Sequence, residues 1–170
     1  MLKTLIISTG LIILPFTDVS DRYKPSVQTL VSEGITQGIS DTQFGVQQQV
    51  KRGDAAIMLH RVLGLESTSF EQKYVDVNTR QMPYIYNLWR ENVIDEELLF
   101  RPDMPVTRGE LGQWMYNALA QKTEHMTWED WHKEAGIING DHRGTRWEDT
   151  VTRGEYAIIL NRVMKIVEKN

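Results

Sequence analysis

One short phrase is written three times in this chain: Val50-Lys-Arg52-Gly-Asp54, Val106-Thr-Arg108-Gly-Glu110 and Val151-Thr-Arg153-Gly-Glu155. Behind each copy runs the same apolar rhythm. Counted from the arginine, positions +6, +7, +10 and +11 read Met58, Leu59, Val62 and Leu63, then Trp114, Met115, Ala118 and Leu119, then Ile159, Leu160, Val163 and Met164. Apolar residues at that spacing occupy one face of a helix. A charged tripeptide recurring with the same hydrophobic sequel makes the chain a repeat protein, and a short repeat buries its apolar face only against its neighbours.

A second phrase precedes the first two motifs. Phe16-Thr-Asp18-Val19 recurs as Tyr74-Val-Asp76-Val77, each followed by helically spaced apolar residues, Val27/Leu30/Val31 and Ile85/Leu88/Trp89. Gly34-Ile35 and Asn92-Val93 are left-handed terminators for these helices. Phe44 and Phe100 each stand eight residues before an arginine. The third unit opens directly on a helix at Trp128, ends it at Gly136-Ile137-Ile138-Asn139-Gly140, and reaches its arginine through the turn-rich Asp141-His-Arg-Gly144-Thr. The units span 16–64, 74–120 and 126–168 (the last shortened), joined by polar connectors. Each reads helix, loop, helix, with no useful strand-like alternation. The predicted fold is all-α, three helix-loop-helix units forming a pseudo-threefold assembly around a shared core.

Other features narrow the function classes. With 19 basic and 23 acidic residues the net charge is −4, so no global basic field points to nucleic acid. Cysteine is absent, which excludes disulfide scaffolds and thiolate metal sites. Residues 1–15 place Lys3 before about eleven mostly apolar residues, a signal-like segment far short of the roughly 20 that span a bilayer. It lacks a small-x-small cleavage site, and an apolar segment packing on the domain is the competing reading. Four histidines and no ordered nucleophile-base set make an enzyme, a cofactor or a metal site unexpected. The densest cluster, Trp128, Glu129, Trp131 and His132 with His125, has Glu129 and His132 at i, i+3 but no third ligand. It reads as core packing, with sugar stacking on a tryptophan as the alternative.

Thr107-x-x-Glu110 and Thr152-x-x-Glu155 are capping boxes, worth about 1 kcal/mol per helix. Lys51 takes the threonine's place in the first copy, so that helix start should be weaker. Capping leaves the arginines unexplained: at the first helical position they face the positive end of the helix dipole. The following glycines, Gly53 and Gly154 among them, forgo up to about 1 kcal/mol of helix propensity. Two explanations stay open. Free amides, an arginine and a bare glycine make a cradle for a bound anion; alternatively the arginine serves an internal carboxylate or carbonyl. Arg52-Gly-Asp54 is also the tripeptide integrins read in other proteins, here at a helix start and not on a flexible loop.

The order of these phrases resembles the S-layer homology domain, usually found as three tandem copies: an aromatic-x-Asp-Val opening, a helix running to Gly-Ile-x-x-Gly, a loop aromatic near a proline, and Thr-Arg-Ala-Glu opening a second helix. The matching residues are Phe16/Asp18/Val19, Gly34-Ile35-Thr-Gln-Gly38, Phe44 and Arg52-Gly-Asp54. In the second unit they are Tyr74/Asp76/Val77, Phe100-Arg-Pro102 and Thr107-Arg108-Gly-Glu110, and in the third Gly136-Ile137-Ile-Asn-Gly140 with Thr152-Arg153-Gly-Glu155. The resemblance implies a three-pronged helical pseudo-trimer that binds the bacterial cell wall non-covalently, through inter-repeat grooves, to an anionic, pyruvylated secondary polysaccharide. Secretion to the wall or surface layer would follow, with other surface-layer proteins as further partners. It implies a ligand set of Arg52, Arg108, Arg153, Gly38, Gly140, Gly53, Gly154, Asp18 and Asp76. Pairing Arg52 with Gly38 and Arg153 with Gly140 makes two grooves competent. The second turn, Asn92-Val-Ile-Asp95-Glu96, puts carboxylates where an anion would approach and casts doubt on Arg108. A protein-interaction scaffold with degenerate polymer sites is the competing function.

Overall fold

The computed structural model describes residues 15–66, 70–95, 97–120, 126–140 and 144–169. The signal-like segment up to residue 14, together with Glu96, His125 and residues 141–143, lies outside the described residues. Among those described are six helices and no strand: α1 Lys24–Ser32, α2 Arg52–Val62, α3 Met82–Arg90, α4 Arg108–Leu119, α5 Trp128–Ala135 and α6 Arg153–Val167. The all-α expectation holds.

Local chemistry sets the helix ends. Pro25 and Pro83 sit in the first turns of α1 and α3, where a missing N–H costs nothing. Gly34, Asn92 and Gly136, just past α1, α3 and α5, take φ of 68°, 55° and 63°, the left-handed conformation that stops a helix. Both expected capping boxes are formed, by Thr107 with Glu110 and by Thr152 with Glu155. The start of α2 has no side-chain cap at Lys51, as its sequence implied.

The two helices of one unit are not the main packing pair. Each second helix lies instead against the first helix of the following unit: α2 on α3, α4 on α5, and α6 back on α1, with α2 also touching α6. One continuous core results. Leu59, Met115 and Leu160, each seven residues after its motif arginine, are wholly buried in it, as are Leu30, Leu88 and Ile137 from the first helices and the turns behind them.

At the centre the three motif valines close a ring of main-chain hydrogen bonds. Val50 N donates to Val151 O (2.9 Å), Val151 N to Val106 O (3.1 Å) and Val106 N to Val50 O (2.9 Å). The flanking bridges Gln49–Thr152, Lys51–Pro105 and Thr107–Thr150 are all antiparallel. The phenol of Tyr156, wholly buried, spans the hub to Ala55 O at 2.9 Å. Burial pushes its pKa up, so the hydroxyl remains a neutral donor.

Candidate functional site

Each motif arginine reaches into another unit and engages the same carbonyl there. Arg52 Nε donates to Phe100 O (2.8 Å), Arg108 Nε to Thr145 O (2.9 Å) and Arg153 Nε to Phe44 O (3.0 Å). In every case the acceptor stands eight residues before the next motif arginine. The guanidinium forks then diverge. Arg153 Nη2 donates to Gln37 O (2.9 Å), and Arg108 Nη2 to the corresponding Asn139 O (2.7 Å). In the second turn the equivalent carbonyl, of Asp95, is taken by the Tyr74 hydroxyl at 3.2 Å. Tyr74 stands where the first unit has Phe16, which has no hydroxyl. Arg52 Nη1 turns instead to Glu110.

The helix-start amides are also engaged. Arg52 N and Gly53 N donate to Met104 O and Pro102 O; Arg108 N and Gly109 N to Asp149 O and Trp147 O; Arg153 N and Gly154 N to Gln48 O and Val46 O. The anion cradle drawn from free helix-start amides is therefore corrected: the fold itself uses those donors. The glycines follow from the same close docking. A Cβ on Gly53 would stand 2.3 Å from Gln81 Nε2, one on Gly154 2.9 Å from the Tyr23 ring, and one on Gly109 3.2 Å from Trp147 O.

Asp18 and Asp76 hold loops. Asp18 accepts from Phe44 N (2.8 Å), Gly45 N (2.7 Å) and Val46 N (3.0 Å), and Asp76 from Phe100 N (3.0 Å) and Arg101 N (2.7 Å). Burial pushes the Asp18 carboxyl up, but its three backbone donors together outweigh that and hold it below the usual range. These loops pass through a left-handed residue seven places before each motif arginine: Gly45 (φ 82°), Arg101 (φ 57°) and Arg146 (φ 53°).

The pairing of arginines with turns is also corrected. Arg153, not Arg52, shares a groove with the Gly38 turn; Arg108 shares one with Gly140; Arg52 faces the carboxylate-bearing second turn. The swap arises because each arginine crosses to a neighbouring unit, which spacing along the chain does not reveal. Arg108, doubted on sequence, stands beside a glycine turn, and Arg52 is the one opposite acids.

Three grooves result, built alike. Each has the turn and second helix of one unit, the start of the next unit's first helix, and a motif arginine from the remaining unit. The first, about 520 Å³, is lined by Arg61, Arg80 and Arg153 against Asp54. The third, about 700 Å³, has Arg22, Arg108, Arg146 and Arg162 against Glu155. The second, about 300 Å³, has Arg52 against Asp95, Glu97 and Glu110. On a chain of net charge −4, two grooves are cationic and one is acidic. Burial pushes the Arg153 pKa down, with Asp54 and Asp18 pulling it back, but a guanidinium stays charged at any working pH.

Arg61 and Arg162, nine residues after their motif arginines, escaped the sequence reading. Both also anchor the glycine turn, Arg61 Nη1 to Ile35 O (3.0 Å) and Arg162 Nη1 to Ile137 O (2.8 Å). Their common spacing was the available signal.

The tryptophan cluster packs. His132, wholly buried between α4 and α5, makes a 2.8 Å hydrogen bond from Nε2 to Gly112 O. The rings of Trp128, Trp131 and Trp147 surround it. No group of three potential metal ligands occurs among the described residues, and no helix among them is long and apolar enough to cross a membrane.

The architecture is thus a hub of repeated motifs surrounded by inter-unit grooves. Residues 15–56 match the family model of the S-layer homology domain. Over 89% of its length it is 25% identical to a cell surface protein of Thermoanaerobacter kivui, covering 21% of that protein. It is 24% identical, over 90% of its length, to the surface-layer 125 kDa protein of Lysinibacillus sphaericus, covering 15%. An amylopullulanase of Thermoanaerobacterium thermosulfurigenes is 24% identical over 89% of this chain, which corresponds to 6% of that enzyme. The chain thus spans less than a quarter of the length of these relatives.

Proposed function

We propose that residues 16–64, 74–120 and 126–168 are three S-layer homology repeats closing a three-pronged pseudo-trimer. In this reading the domain anchors its protein to the cell wall by binding an anionic secondary polysaccharide. Carboxylates of the polymer, pyruvyl ketals among them, enter the first and third grooves. The arginine excess of those two grooves carries this reading. Arg153 and Arg108, each spending Nε and one fork nitrogen on carbonyls, are held rigidly against the glycine turns. Arg80 and Arg22 stand at equivalent places, three residues before Pro83 and Pro25, and offer exposed charge. A charged hydrogen bond contributes about 1.5–3 kcal/mol, and two grooves on one polymer multiply retention through effective concentration.

Arg22 and Arg80 make the test clean because both are exposed. The purified chain should sediment with wall sacculi and lose that binding when the secondary polymer is stripped. Arg22→Gln with Arg80→Gln should weaken retention at least tenfold while helical circular dichroism stays unchanged. Equal binding to stripped and intact sacculi would overturn the polymer reading.

A further inference from the structure

The second groove shares the hub contacts of the other two but carries a different chemistry, and its changes are concerted. Where the first and third grooves have Arg61 and Arg162, the second unit has Asn117. Its side chain makes the same tether, to Val93 O at 3.1 Å, so the fold contact is kept while the charge is dropped. Where Arg22 and Arg80 precede the caps of α1 and α3, the residue before the cap of α5 is the neutral Met126, and Trp128 lines the groove. Where the turn holds the neutral Gln37 or Asn139, here it holds Asp95. Both arginine positions are thus neutral here, and acids stand beside Trp114 and Trp128.

The remaining cation of that groove is spent internally, Arg52 being committed to Glu110 and to Phe100 O while lying over the Phe100 and Trp114 rings. Glu97 leans on Arg101 at 3.4 Å. The carboxylate of Asp95 has no partner among the described residues. Directly after Glu97 in the chain come Leu98, 83% exposed, and Leu99, which lines the groove and is 37% exposed. Asp76 accepts from Phe100 N and Arg101 N, so the residues that follow Leu99 are fixed in place. Exposed aliphatic side chains beside an acidic, aromatic cleft complement a segment that is basic and aliphatic.

We propose that the second groove docks a segment of a partner protein in which a lysine or arginine is flanked by aliphatic residues. The cation enters beside Asp95 and Glu97 over the tryptophan floor, and the aliphatic neighbours cover Leu98 and Leu99. This site is independent of the polymer-binding grooves.

The test uses the full chain and a fluorescein-labelled, end-capped octapeptide of alternating lysine and leucine, followed by anisotropy. Saturable binding is expected, and unlabelled peptide should change the tryptophan fluorescence, since Trp114 and Trp128 line the groove. Asp95→Asn with Glu97→Gln should weaken binding at least tenfold and leave sacculus retention unchanged. Glu33→Gln with Glu168→Gln, which removes the same charge from the ends of α1 and α6, should change it less than twofold. The proposal is overturned if both pairs weaken binding equally, if a lysine–glycine octapeptide binds as well, if no peptide binds, or if the Asp95/Glu97 pair abolishes sacculus retention. A chain that binds the peptide but not sacculi overturns the polymer reading alone.

Discussion

At the hub, positions 50, 106 and 151 are valine and positions 52, 108 and 153 arginine, without exception. In the grooves just outside it, one turn offers Gln37 and its counterpart Asp95, and one helix offers arginine where another offers asparagine. The hub contacts run to main-chain carbonyls, which every sequence supplies. Once an arginine serves such an acceptor, the neighbouring unit is free to change its side chains without disturbing the bond. The groove contacts depend on those side chains and on whatever enters from outside. The Nε of each guanidinium makes the same contact in all three units, whereas the fork takes a turn carbonyl in two of them and Glu110 in the other.

Removing a hub contact should break this division most severely. Arg52→Ala loses the bond to Phe100 O, the pair with Glu110 and the ring contacts, and should cost about 3 kcal/mol in urea unfolding. A loss below 1 kcal/mol would mean that the hub does not rest on its arginines. Next come the glycines, which measure how tightly each helix start is docked. Gly154→Ala drives a Cβ into the Tyr23 ring and should cost about 1–3 kcal/mol. Gly109→Ala, whose nearest neighbour is at 3.2 Å, should lie within about 1 kcal/mol of wild type because helix propensity offsets the contact. Equal costs would erase the distinction between the two seams.

The smallest effect at neutral pH lies in the seams that carry buried histidine. His60, 2% exposed on α2, faces Asn87 of α3, and His132 joins α5 to α4. Burial pushes both pKa values down; for His60 the Arg61 charge adds to this, while for His132 the Gly112 carbonyl and Glu129 oppose it without prevailing. The unfolded chain therefore takes up protons first, and stability should fall as pH drops below about 6.5. The α6–α1 seam, joined through Asn161 and Ser26, has no such group. Thermal melts at pH 7.5 and 5.5 should show the loss, and His132→Gln should flatten it. A pH-independent melting temperature would overturn the assignment.

The helices were legible because their signals are local: Thr107 and Thr152 with their glutamates, Gly34, Asn92 and Gly136 as stops, and the apolar positions behind each arginine. The hub partners were not, because a carbonyl acceptor leaves no mark in sequence. Phe44 and Phe100 were visible as loop aromatics at fixed distance from an arginine, but the acceptor at each is the main-chain oxygen, supplied equally well by Thr145. The groove pairings failed for a related reason. Spacing shows which residues share a unit, whereas each groove joins all three, so Arg52 was set beside Gly38 when Arg153 belongs there. The acidic nature of the second turn was readable, and only its arginine was misassigned.

The closed ring of valine amides also has a temporal consequence. In a linear stack of repeats each unit gains its neighbour as it is added, and folding can spread from any point. Here Val50 donates to Val151, 101 positions away, and Val106 completes the circuit between them. During synthesis the Val50 amide waits for nearly the whole domain before it is paired. Such distant closure slows folding and makes it one event instead of three. A protease should accordingly find the chain open until the last unit arrives, and closed at every seam once it has.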